Sequence, residues 1–185
     1  MLKSAPTEQQ LKYIKNIKAS GENLLVVIND ILDFSKIEAG KLTFEETNFN
    51  IFELMEHIKE TFRVKAEEKN IILSNINDEN IPPYLAGDPV RLNQILINLV
   101  GNAIKFTGEK GKIKFGVSLK EKLHQSVHLH FFIEDTGIGI SEENIENIFE
   151  SFTQAESDTT RKYGGTGLGL SIVKQLVELQ RGNIT

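Results

Sequence analysis

The segment from about Thr7 to Glu38 carries apolar residues at Leu11, Ile14, Ile17, Leu24, Leu25, Ile28, Ile31 and Leu32. That spacing is helical and close to a heptad. Thr7 followed by Gln10, with Pro6 ahead of them, reads as a capping box, and Gly40 as the C-terminal cap. The helix should run for about 30 residues and about 45 Å, with Ser20-Gly21 as a weak point inside it. One apolar stripe on so long a helix cannot stand alone in water. It needs a partner helix, from a second copy of the chain or from a neighbouring segment. Packing on its own domain is the poorer fit.

The remaining length suits one ordinary domain, so 185 residues read as a domain with a helix appended. The chain has no Cys, which excludes disulfides, thiolate metal sites and thiol catalysis and fits a reducing, cytoplasmic setting. Twenty-one basic against 26 acidic residues give a net charge of -5. That balance argues against a nucleic-acid binder and against contact with a membrane surface. No window approaches the roughly 18 apolar residues of a membrane span.

Beyond Lys41 the pattern changes. Phe44, Phe49, Ile51 and Phe52 suggest an extended lead-in. Ile51 to Lys69 predicts an amphipathic helix with Leu54, Met55, Ile58, Phe62 and Val64 on its apolar side. A strand should begin at Ile71, and a short extended piece lies between Ile81 and Gly87. Asp88-Pro89 predicts a helix start, with Asp as N-cap, running to about Phe106. Lys112 to Leu119 and Val127 to Glu134 predict an antiparallel pair. Ser141 should cap a helix, Thr153 to Tyr163 read as a mobile loop, and a last helix should end near Arg181-Gly182. Asn183-Ile184-Thr185 look like the start of another strand.

Three places could carry chemistry. On the helix from Asp88, the apolar face is Leu92, Ile95, Leu96, Leu99 and Ala103, and the other face is Arg91, Gln94, Asn98, Asn102 and Lys105. Asn98 and Asn102 sit one turn apart, although Asn is a mediocre helix former. Such a pair can offer carbonyl oxygens to a hard cation, and Lys105 an ammonium to a phosphate. A solvated polar face is an equal reading of this helix alone. Asp135-Thr136-Gly137-Ile138-Gly139 follows directly on a strand, so its carboxylate could accept from an exocyclic amine, or simply close an Asx turn. Gly164-Gly165-Thr166-Gly167-Leu168-Gly169 opens a helix, where backbone N–H groups suit an anion. It matches neither the Walker A nor the dinucleotide-binding pattern, and the apolar run behind it makes a plain linker a poor reading. His128 and His130 share one face of a strand with no evident third metal ligand.

In this order, the motifs resemble the ATP-binding catalytic domain of two-component sensor histidine kinases, of the hybrid type, within the GHKL superfamily. Asn98 to Thr107 looks like the N box, Asp135 to Gly139 the G1 box, Ile148 to Phe152 the F box, and Gly165 to Leu170 the G2 box. Asn29 to Leu42 is similar to the end of the second dimerisation helix and its linker. The resemblance covers nearly the whole chain. It implies a two-layer α/β sandwich, a mixed sheet with three helices on one face, preceded by the long dimerisation helix. Residues 1–42 would be that helix and linker, and 43–185 the ATP-binding domain.

By the resemblance, Asn102 would bind Mg²⁺ with Asn98 beside it. Lys105 would reach the phosphates of ATP or ADP, and Phe106 would lie near the adenine. Asp135 would accept from the adenine amino group. Gly137, Gly139, Gly165, Gly167, Leu168 and Gly169 would line the nucleotide, and Arg161 and Lys162 would stand in a lid. The implied reaction is transfer of the γ-phosphoryl group of ATP to a histidine. Asn98 occupies the position where hydrolytic members carry a Glu base, and an amide cannot take that proton. The implied partners are a second copy of the chain, a phosphoacceptor helix and a response-regulator receiver domain.

Two departures qualify the match. None of His57, His124, His128 and His130 has the setting of the family's phosphoacceptor, so this chain should not phosphorylate itself. The closing strands that the resemblance expects beyond Thr185 are not in the sequence, which would leave an unpaired sheet edge. A nucleotide-free dimerisation scaffold is the alternative reading, and a hydrolytic ATPase a weaker one.

Overall fold

The computed structural model describes residues 6–145, 147–150 and 167–185. The backbone divides into two compact units, Met1–Leu42 and Thr43–Thr185.

The first unit is one helix, α1, Glu8–Glu38. Thr7 Oγ1 accepts from the Gln10 N–H at 3.3 Å, and Gln10 Oε1 accepts from the Thr7 N–H at 2.9 Å. This is the reciprocal capping box the sequence predicts. At the other end Gly40 adopts φ +62°. Its N–H bonds the Ile37 carbonyl at 2.9 Å while Lys41 N–H bonds that of Lys36 at 2.8 Å. That pair of bonds is a Schellman closure, which needs the left-handed conformation glycine tolerates. Ser20-Gly21 does not interrupt the helix. The apolar stripe from Leu11 to Leu32 stays 43 to 72 % exposed, so no described residue of the unit covers it.

In the second unit a short ribbon pairs β1 (Thr47–Asn50) antiparallel with β3 (Tyr84–Gly87). The main sheet has the order β2-β4-β5, with β2 (Ile72–Asn77) parallel to β4 (Lys112–Lys122) and β5 (Val127–Asp135) antiparallel to it. Helices α2 (Ile51–Glu68) and α3 (Pro89–Phe106) pack on the sheet. The single turn α4 (Glu142–Ile145) follows β5, and the last helix, α5 (Gly169–Leu179), packs along α3. The result is the expected two-layer α/β arrangement around a mixed sheet. Ile51, Met55, Ile58 and Phe62 meet Leu96, Val100 and Ile104 over Ile113, Phe115 and Val117. Each such side chain stabilises the fold by roughly 1.5–3 kcal/mol.

Three expectations shift. Val64 is 55 % exposed, because the inward stripe of α2 runs 51-55-58-62-66 and residue 64 lies about 200° round from Phe62. On α3 the buried set is Ile95, Leu96, Val100, Ala103 and Ile104, while Leu99 is only half-buried. Residues 183–185 form no strand, having no ladder partner among the described residues. Accordingly β5 has only β4 as a neighbour among them.

Candidate functional site

Helix α3 is held at its start by one carboxylate. Asp88 Oδ1 accepts from the Arg91 N–H at 3.0 Å and its Oδ2 from the Glu45 N–H at 3.1 Å, with Pro89 at the first helical position. This sets the rotation of the helix ten residues ahead of Asn98. The polar stripe is not a solvated face: Arg91, Gln94, Asn98, Asn102 and Lys105 are all half-buried. Arg91 Nη1 donates to Gln94 Oε1 at 2.9 Å. The reason for the burial at Asn98 is α5. A Cβ placed on Gly169 would lie 2.6 Å from Asn98 Oδ1, so the carboxamide occupies the room a side chain there would need. Asn98 and Gly169 are thus in direct apposition.

At the other end of α3 the Asp135 turn closes in. Asp135 Oδ1 accepts from the Gly137 N–H at 2.8 Å, the Asx-turn bond, and the residue is exposed. A Cβ on Gly137 would stand 2.7 Å from the Phe106 carbonyl oxygen and 2.6 Å from Asp135 Oδ1. Only glycine lets this turn lie against the helix end. Gly139 adopts φ +72°, a second position that suits glycine. Thr136 pins the turn to β4: its N–H donates to the Lys112 carbonyl at 3.1 Å, and its Oγ1 accepts from the Lys112 N–H at 2.9 Å. Lys105 Nζ lies 4.7 Å from the centroid of the Phe106 ring. Burial pushes the Lys105 pKa below that of an ordinary lysine. A poorly hydrated ammonium has less water to shed when it meets an anion.

The third segment begins at Gly167, with φ +73°. Leu168 is only 2 % exposed and its carbonyl accepts from Ser171 Oγ at 2.8 Å, which anchors the start of α5. As a ligand contact it is therefore the weakest of the expected set. No side-chain bond caps α5 at Leu168, so the first N–H groups of that helix suit an anion. Gly165, Arg161, Lys162 and the rest of the expected lid lie outside the described residues, as do Ser151 and Phe152 of the F box.

Within the second unit the fold thus sets Gly169 against Asn98 and the Asp135–Gly137 turn against Phe106, with Lys105 over the Phe106 ring. Asn102, Gly139 and Gly167 belong to the same three stretches of chain. Two contributors were not foreseen in the sequence, Thr136 and Lys69. The latter donates from Nζ to the carbonyls of Ile104 (2.7 Å), Lys105 (3.2 Å) and Thr107 (3.1 Å) at the end of α3. No local signal marks it, since its partners are 35 to 38 residues away. Among the described residues no group of three or more His, Cys, Asp or Glu could hold a metal ion, and His128 faces Glu121 at 3.3 Å.

The sequence profile of the histidine kinase-, DNA gyrase B- and HSP90-like ATPases matches residues 87–185. The chain belongs to this family. The profile of the His kinase A (phospho-acceptor) domain matches residues 1–40. The sensor histidine kinase GacS of Pseudomonas protegens is 45 % identical over 182 residues, covering 98 % of this chain and 20 % of GacS. The chain thus spans about a fifth of the length of such relatives. Among solved structures, full-length ShkA in complex with AMPPNP superposes with a TM-score of 0.74 at 31 % identity, covering 95 % of this chain and 35 % of that one. The histidine kinase ThkA in complex with the response regulator TrrA gives 0.65 at 30 % identity, with 97 % and 47 % covered. The ATPase-family match begins one residue before the Asp88 cap, and it spans all three segments that form the site.

Proposed function

We propose that residues 43–185 are the ATP-binding catalytic core of a sensor histidine kinase, and that residues 1–42 are its second dimerisation helix and linker. The observation that carries this reading is the convergence on α3 from both sides, with Gly169 against Asn98 and Gly137 against Phe106. Two glycines whose missing side chains leave room for a carboxamide and a helix end make little sense in an inert scaffold. They fit a cradle for a planar base and a phosphate chain.

In this reading Asp135 accepts from the exocyclic amine of adenine through its carboxylate, oriented by the Gly137 N–H. Phe106 supplies an apolar surface nearby. Lys105 meets the phosphates with an ammonium that burial has made less hydrated. The N–H groups opening α5 take further phosphate oxygens. Asn98 and Asn102, one turn apart, offer the neutral oxygen donors a hard cation accepts. The polar, half-buried setting of both fits Mg²⁺. When bound, Mg²⁺ would neutralise phosphate charge, and the chain's own part is positioning. Asn98 cannot act as a base, which favours transfer to a protein side chain over hydrolysis.

The partners follow from the same reading. The exposed stripe of α1 would meet the matching helix of a second copy and the phosphoacceptor helix. A receiver domain would take the phosphoryl group onward, as the ThkA–TrrA complex supports by analogy.

Titration with Mg-ADP tests the nucleotide site. At a hundred times the dissociation constant, binding should stabilise the chain by ~2.7 kcal/mol and raise Tm by about 5–10 °C. No shift would sink the reading in favour of the scaffold, and steady phosphate release from Mg-ATP would favour a hydrolase. Residues 1–40 contain no histidine. With γ-labelled ATP the chain should therefore incorporate no acid-labile label by itself, and should label an added phosphoacceptor helix. Robust self-labelling would show the assignment of residues 1–42 to be wrong.

A further inference from the structure

The end of α3 is held by a side chain from another helix. Such an end leaves its last carbonyls without intrahelical partners. Here the Thr107 N–H bonds the Ala103 carbonyl at 2.9 Å, and the carbonyls of Ile104, Lys105 and Thr107 all converge on Lys69 Nζ at 2.7, 3.2 and 3.1 Å. An ammonium has three donors and no acceptor, so the three bonds use its full capacity. Its charge also lies at the negative end of the helix dipole. The Phe106 carbonyl, between them in sequence, is the one that packs against Gly137.

Lys69 is itself fixed. It is the C-cap of α2, and Asn70 follows in the left-handed region with φ +54°. The Asn70 N–H bonds the Glu67 carbonyl at 2.9 Å and the Ile71 N–H that of Ala66 at 2.8 Å, a Schellman closure. Ala66 and Ile71, 3 % and 6 % exposed, bury the apolar contact that accompanies it. A second tie runs through the backbone, the Lys110 N–H donating to the Lys69 carbonyl at 3.0 Å.

We infer that Lys69 is a positioning residue for the nucleotide site: it holds the last turn of α3, and through the Phe106 carbonyl the Asp135–Gly139 turn, in the geometry that receives the base and the phosphates. The inference rests on the nucleotide-binding reading for its consequence, but not for the clamp itself. Lys69 touches no expected ligand atom and acts only through Lys105, Phe106 and Gly137. Without it, the carbonyls of buried Ile104 and Thr107 and of half-buried Lys105 lose their partner, the turn opens, and Phe106 no longer backs the Asp135 turn.

The test compares the 185-residue chain with Lys69→Met, and with Lys59→Met, which removes another α2 charge, one paired with Glu56 at 3.2 Å. Amide hydrogen exchange is followed without nucleotide, and Mg-ADP affinity is measured well below Tm. In Lys69→Met, exchange at residues 104–111 and 137–139 should rise by about tenfold or more over Lys59→Met, with β4 unchanged, and affinity should fall about tenfold. Unchanged local exchange overturns the clamp. So does a uniform rise across the chain, which marks a merely structural role. Raised local exchange with unchanged affinity overturns the positioning role. If Lys69→Met does not fold, Lys69→Arg decides by the same readings, since a planar fork cannot serve three converging carbonyls. If the unaltered chain fails to bind Mg-ADP, the nucleotide reading fails and the exchange data still decide the clamp.

Discussion

Replacing Asp135 with Asn is expected to weaken Mg-ADP binding on the order of a hundredfold, a loss of about 2–3 kcal/mol. The substitution keeps shape and keeps one acceptor. An Asn Oδ1 can still take the Gly137 N–H that Asp135 Oδ1 takes at 2.8 Å, so the turn should survive. What changes is the other terminal atom, an oxygen that becomes an NH₂. A donor would then face the exocyclic amine of adenine, itself a donor, and a charge-assisted bond would be replaced by an unsatisfied pair. Because the residue is exposed, the nucleotide-free chain should melt within about 2 °C of the unaltered one, as exposed substitutions generally do. Calorimetric titration measures the first effect and thermal denaturation the second. Equal affinity in the two chains would show that adenine is not read by Asp135.

The second large effect is one of stability. Gly116 lies in the middle of β4, opposite Ile76 of β2 and Phe132 of β5. A Cβ at that position would overlap the Ile76 carbonyl oxygen and come 2.8 Å from Phe132 Cζ. A ring can turn aside, but a strand carbonyl committed to a parallel ladder cannot move without opening that ladder. Gly116→Ala should therefore cost ~3 kcal/mol or more and lower Tm by about 10 °C. The loss should appear first as faster amide exchange along β2, the edge strand whose Ile76 carbonyl meets the added methyl and whose ladder partner among the described residues is β4. A variant melting within about 2 °C of the parent would mean that β2 does not run against β4 at this register.

Much of the fold was legible because its signals are local. Thr7 with Gln10, Asp88 with Pro89, and Gly40 each act within a turn of their own position, and each stands where the sequence places it. The alternation from Val127 to Ile133 likewise needs only neighbouring residues. Periodicity alone does not say which arc of a helix meets a partner surface. Val64 is apolar but turned from the sheet, and Leu99 gives way to Val100 because the sheet and α5, not the residues themselves, choose which arc of a helix is covered. The stripe from Arg91 to Lys105 could equally have been solvated, since Asn98 is covered by α5, which begins 64 residues after Lys105.

The amino-acid sequence by itself determined the elements, their caps and the candidate chemistry, because capping, alternation and amphipathicity are written in residues a few positions apart. The tertiary structure alone decided that Gly169 makes room for Asn98, that Gly137 makes room for the end of α3, and that Lys69 closes that end. Those are contacts between stretches far apart in the chain. No propensity encodes them, since they exist only once a packed core has brought the backbones within a few ångströms of one another.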